Sequence, residues 1–161
     1  MEENLKKWAE RVIQRRPELG GMSICPFAKK GLKENKIHFF KIYASIPPQT
    51  WIMGFLTKLN ELDDFDLAIF YDVEKVLTND DLYRIIKDVQ PCWPDIVLLK
   101  DHPDDPGFIN GIYTGNGAYP IILAQPKSKL LESREILKKT KYYDYWSEEY
   151  KNEIWSYGSE S

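Results

Sequence analysis

Positive charge, cysteine, histidine and long apolar runs are all in short supply in this chain. Lys and Arg number 22 against 25 Asp and Glu, for a formal net charge of −3. That leaves no global positive field to gather phosphates, so general nucleic-acid binding is disfavoured. Two cysteines do not make a disulfide framework. With the two histidines they match a zinc site in number only, because Cys25, His38, Cys92 and His102 lack the paired spacing of zinc modules. No apolar run approaches the roughly 18 residues that would span a bilayer. "MEENLKKWAERVIQRR" lacks the apolar segment and small-residue cleavage site of a secretory signal. The expected compartment is therefore the cytoplasm, with both thiols free. There is no GxGxxG motif, no internal repeat and no low-complexity segment, and no motif names a cofactor.

What remains is an ordinary globular mix. The 161 residues are 43% hydrophobic and 29% charged, which fits one domain, and 14% are aromatic. Leu5, Trp8, Ala9, Val12 and Ile13 recur at helical spacing within residues 2–16, and Pro17 with Gly20-Gly21 ends that helix. "PFAKKGLKEN" reads as a short helix opened by Pro26. "KIHFFKIYA" (36–44) reads as a strand, and its apolar residues on both faces suit an interior position. A helix from Pro47-Pro48 through Trp51, Ile52, Phe55, Leu56 and Leu59 leads to a second strand at 66–72. Thr78, with Asp81 three residues on, predicts a capped helix that buries Leu82, Ile85, Ile86 and Val89. A third strand follows at 95–100. Residues 101–118 lack periodicity and read as a long loop, of the kind that is usually functional or mobile. A last strand at 119–125 is expected to pair antiparallel, and the Tyr119–Pro120 peptide is a candidate for the cis form. Helices at 128–140 and in the aromatic stretch 142–155 follow, and residues 156–161 are expected to be disordered. The expected architecture is a single α/β domain over residues 1–161. It has about four strands in a mixed sheet with flanking helices, and the N- and C-terminal helices pack on it.

Four residues carry the candidate chemistry. Cys25, ahead of a short helix with Lys29 and Lys30 one turn on, is placed to feel a positive helix end that favours the thiolate. Its apolar neighbours Ile24, Phe27 and Leu32 support the opposite reading, a core thiol. His102 follows a strand and precedes "PDDP", which suits a base or a metal ligand, with Asp101, Asp104 and Asp105 placed to orient it or bind a cation. In "TGNGAYP", Gly115 and Gly117 free the backbone and Asn116 offers a side-chain donor. Cys92 reads as core or turn, and His38, between strand neighbours, as structural.

Two families are similar in their motifs. "ICPFAKKGLKENKIHFFKIYA" resembles a glutaredoxin opening, in which a nucleophilic Cys starts a helix and a Pro-then-strand element such as "AYPIIL" faces the thiol; here Ala28 stands where the second Cys would be. The fuller resemblance is to the family called domain of unknown function 1415. Trp8 leads to "ICPFA", "HPDD" closes a strand, and "GNGAYPIIL" enters one, keeping Asn116, Tyr119 and Pro120 in type. Gly117 and Ala118 depart from that family's Arg-Ser-Pro segment, and Leu123 or Ala124 replaces a His. This resemblance locates a site and implies no reaction.

The functional expectation is a small-molecule enzyme whose cleft gathers Cys25 and the 101–118 loop. Cys25 is its nucleophile or redox thiol, His102 its base, and Asp104 or Asn116 an orienting group. One alternative is a non-catalytic binding module that uses the 101–118 loop or an exposed aromatic patch from Tyr142, Tyr145 and Trp146. Another is a metal site at His102 with Asp104 or Asp105. The expected partner is a small-molecule ligand.

Overall fold

In a computed structural model, residues 2–62, 64–105 and 107–156 are described. The elements run α1 (Glu3–Val12), α2 (Ala28–Lys33), β1 (Ile37–Ile42), α3 (Pro48–Leu62), β2 (Leu67–Asp72), α4 (Asn79–Val89) and β3 (Ile96–Asp101). They continue with β4 (Phe108–Ile109), β5 (Ile112–Tyr113), β6 (Ile121–Pro126), α5 (Lys127–Lys138) and α6 (Glu148–Ser156). Four strands form one mixed sheet in the order β1-β2-β6-β3. β1 and β2 are parallel, Ile37 facing Leu67, as a helical crossover requires. β6 runs antiparallel to both its neighbours and so closes the sheet from the inside, with Ile121, Ile122 and Ala124 fully buried. This is the single α/β domain expected from the alternation of strand and helix patterns.

Each strand feeds two apolar layers, because successive side chains alternate between faces. On one face Phe70, Ala68, Leu98, Ile122 and Ile42 pack with Ile52, Leu56 and Leu59 of α3 and Leu82, Ile85 and Val89 of α4. On the other face Ile69, Tyr71 and Ile121 pack with Leu5 and Trp8 of α1. A third cluster of Val12, Leu19, Ile24 and Ile109 extends α1 toward the hairpin β4–β5. The aromatic C-terminal segment folds onto the residues preceding α2. Tyr142 and Tyr143 are buried, and the Tyr142 hydroxyl donates to the Ile24 carbonyl.

Local sequence explains several joints. The Thr78 hydroxyl accepts from the Asp81 N–H at 3.2 Å, and the Asp81 carboxylate accepts from the Thr78 N–H at 2.8 Å, a complete capping box for α4. Asp72, fully buried at the end of β2, accepts from the N–H groups of Glu74, Val76 and Leu77 at 2.8–3.0 Å and shapes the turn into α4. Gly31 lets α2 approach β1: a Cβ there would lie 3.0 Å from Ile37.

The structure corrects five expectations. β1 is an edge strand, not an interior one. Its two apolar faces report helices above and below it, not strands on both sides, since Ile37 and Phe39 meet the α1 cluster and Phe40 the α3 cluster. α2 begins at Ala28, so Pro26 and Phe27 lie in a turn and Cys25 stands outside the helix. The 101–118 segment is not structureless: Asn110 and Gly111, both at positive φ, turn the short hairpin β4–β5. The aromatic tail is split into a 3-10 turn, Tyr142–Tyr145, and α6. The Tyr119–Pro120 peptide is trans. Of the expected disordered tail, Ser156 closes α6, and residues 157–161 lie outside the described residues.

Candidate functional site

α1 supplies the site because its polar stripe runs beside its apolar one. Leu5, Ala9 and Val12 are buried. Asn4, Lys7, Trp8 and Arg11, spaced by three or four residues, share the adjoining face and line a cavity of about 340 Å³. Asn116, Gly117 and Ala118 line its other side. The two walls are tied together. The Trp8 indole N–H donates to the Thr114 carbonyl at 2.9 Å, the Arg11 guanidinium donates to the Gly115 carbonyl, and that guanidinium lies 5.5 Å from the centre of the Tyr113 ring.

Asn116 organises the loop wall. Its amide donates to an Asp101 oxygen at 2.8 Å and to the Tyr119 carbonyl at 2.9 Å. Its side-chain oxygen accepts from the N–H groups of Ala118 and Tyr119 at 3.0 and 2.7 Å. The two glycines are needed for different reasons. Gly117 has φ +70°, a conformation that side chains resist, whereas a Cβ on Gly115 would lie 2.6 Å from the Tyr113 hydroxyl. Behind this wall, burial raises the Asp101 carboxyl above its ordinary range, partly opposed by the two N–H donors of Asn116. Burial and then the Asp101 charge raise the Tyr113 hydroxyl as well.

The cavity rim is cationic. Among the described residues no acidic side chain lines it. Among the described residues Lys7 pairs only with Glu3, at 3.7 Å, with both side chains more than two-thirds exposed, so that pair holds Lys7 weakly. No ion pair engages Arg11 among the described residues. The arrangement is suited to hold an anion and lacks a nucleophile–base pair.

The remaining expected site residues lie apart from it. Cys25 is half-buried, its N–H donating to the Val12 carbonyl at 2.9 Å, and it packs with the cluster that contains Ile109 and Ile112 of the hairpin. Burial raises its thiol, opposed in part by the N–H groups of Ala28 and Phe27. His102 is buried, and both ring nitrogens are engaged. Nε2 lies 3.0 Å from the Leu77 carbonyl, which only accepts, and Nδ1 accepts from the Asp104 N–H at 3.1 Å. The ring clips β3 to the turn before α4 and has no free nitrogen for a thiol proton. No hydrogen bond or ion pair joins His102 to Cys25 among the described residues. The Asp104 side chain is 90% exposed and reaches Nδ1 only at 3.8 Å, while Asp105 pairs with Lys100 at 3.1 Å. Among the described residues no three His, Cys, Asp or Glu side chains gather into a metal site. Cys92 is exposed in a 3-10 turn. The aromatic patch expected at Tyr142, Tyr145 and Trp146 is not formed: Tyr142 is buried, and Tyr145 and Trp146 pack against the clusters around Ile24 and Leu137.

Compared with known proteins, the chain matches no family model, no curated protein and no solved structure, which neither supports nor opposes the motif resemblances. No helix of the described residues is long and apolar enough to cross a membrane.

Proposed function

We propose that the protein binds a small anionic molecule in the cavity between α1 and residues 114–118. One observation carries the reading: Lys7 and Arg11 stand one helical turn apart on the wall of a cavity of about 340 Å³ that, among the described residues, no acidic side chain lines. Asn4 and the Gly117-Ala118 backbone add polar groups for orientation, and Trp8 adds an apolar surface. This is the binding reading of the 101–118 segment, with α1 as the second wall. Calorimetric titration with inorganic phosphate, citrate and a nucleoside monophosphate tests it. At least one of them is expected to saturate, and Lys7→Glu is expected to weaken it about tenfold or more, since a cation is replaced by a like charge. Because Lys7 is exposed, that variant should keep its thermal midpoint. Saturation by none of the three, or binding unaltered by Lys7→Glu, would overturn the proposal.

A thiol reaction at Cys25 is the second reading. The N–H groups of Phe27 and Ala28 stabilise its thiolate, an effect that burial outweighs. The reaction proceeds without His102 as base.

A further inference from the structure

A second cavity lies on the opposite face of the sheet. It has a volume of about 370 Å³ and runs along α3, lined by Ile46, Thr50, Trp51, Gly54, Phe55 and Lys58. Its walls are aromatic. Trp51 stacks on Phe55 with ring centres 5.8 Å apart, and Phe55 stacks on Phe40 at 4.3 Å. Ile46 is 44% exposed at its mouth.

Gly54 is the unusual member. It sits in the interior of a 15-residue helix, where glycine is a worse choice than any residue but proline. Nothing in the fold requires it, since a Cβ built there meets no atom within 4 Å. The other glycine within a helix is explained by a close neighbour: Gly31 faces Ile37. The absent side chain at Gly54 leaves the groove open along that face of α3. Lys58, one turn further along the same face, has no ion-pair partner among the described residues. An aromatic groove with one uncommitted cation at its end complements an apolar body that carries a single negative charge.

We propose that this groove binds a small organic acid, its apolar body lying over Gly54 between Trp51, Phe55 and Ile46 and its anionic end paired with Lys58. The occupant is a small molecule, because a volume of about 370 Å³ is that of a small-molecule site and a single cation is met by one monoanion.

The experiment uses 8-anilinonaphthalene-1-sulfonate, an aromatic monoanion, as a fluorescent probe on the full chain. Decanoate and decanol serve as competitors. Saturable binding is expected, displaced by decanoate at lower concentration than by decanol. Gly54→Leu is expected to weaken the probe about tenfold or more by filling the groove. The same variant should raise the thermal midpoint by about 2–4 °C, because it replaces a helix glycine in open space. Lys58→Ala is expected to weaken the probe about two- to fivefold. Gly54→Ala provides a milder substitution should leucine perturb the helix, with the same directions of change. Absence of saturable binding, or binding indifferent to Gly54→Leu and Gly54→Ala, would overturn the proposal. Equal competition by decanol would remove the role of Lys58. A dimer in sedimentation that dissociates on Gly54→Leu would assign the groove to a second copy of the chain and overturn the small-molecule occupant.

Discussion

Asn116 binds one oxygen of Asp101 twice, through its backbone N–H at 3.1 Å and its side-chain amide at 2.8 Å. The pair joins the end of β3 to the loop that enters β6, so the cavity wall is fixed by the two strands it connects. Replacing Asn116 with Ala leaves the buried Tyr119 N–H and one Asp101 oxygen short of partners. A loss of about 2–4 kcal/mol in urea denaturation is expected. Anion binding should fall as well, because the Gly117-Ala118 wall loses its clamp. A variant of unchanged stability would show that the loop is held by other contacts.

Asp101 sets a pH dependence. Burial raises its carboxyl above the ordinary value of 3.8, so the folded state binds its proton more tightly than the unfolded chain does. Its contribution to stability is therefore complete below about pH 3.8 and declines as the pH rises through the folded value. Asp101→Asn keeps the shape and removes the titration. Denaturation midpoints measured from pH 3.5 to 7 are expected to lose this decline in the variant. A wild-type decline that persists unchanged in Asp101→Asn would have to arise elsewhere.

Cys25 should react slowly. With Cys92→Ser as background, the rate of alkylation by iodoacetamide is expected to rise with an apparent pKa above the roughly 8.5 of a free thiol. The cause is burial beside the apolar cluster that follows α1. His102→Ala should leave that profile in place while costing about 2–3 kcal/mol of stability, since the Leu77 carbonyl and the Asp104 N–H both lose their partner. A Cys25 profile shifted below 8.5, and altered by loss of His102, would restore the catalytic pair.

How far the sequence discloses these features depends on the range of the interaction. The α4 cap is legible because Thr78 and Asp81 lie within one turn of each other. The Asn110-Gly111 pair between two apolar dipeptides is an equally local hairpin signal, which the absence of longer periodicity in 101–118 hides. The position of β1 is not legible, because burial on two faces looks the same at the edge as at the centre of a sheet. His102 reads as a base in sequence, since a histidine beside carboxylates has that chemistry, and nothing local reveals that Leu77, 25 residues earlier, occupies its second nitrogen. Asn116 lines the cavity, and the Lys7 and Arg11 side chains that line it too are more than 100 residues away. Their only sequence trace is a polar stripe that runs beside an apolar one.

Asp81 and Asp101 should pull stability in opposite directions across the same acid range. The Asp81 carboxyl is held below 3.8, first by the Thr78 N–H and then by the Thr78 hydroxyl, with Arg84 adding a smaller contribution. A depressed folded value means that its stabilisation is present above about pH 3.8 and is lost as the pH falls through the folded value. Asp81 is close to the surface, so solvent screening limits the effect to about 0.5–1 kcal/mol. Asp81→Asn should therefore flatten the acid side of the stability curve, whereas Asp101→Asn flattens the fall toward neutral pH. The α4 cap is exposed and Asp101 is half-buried, so 0.5 M salt should shrink the Asp81 difference more than the Asp101 one. Parallel urea titrations of the two variants at pH 3, 4, 5.5 and 7, at low and high salt, read both effects. Curves that shift in the same direction would mean that one of the two carboxyl groups sits in an environment other than the one its hydrogen bonds define.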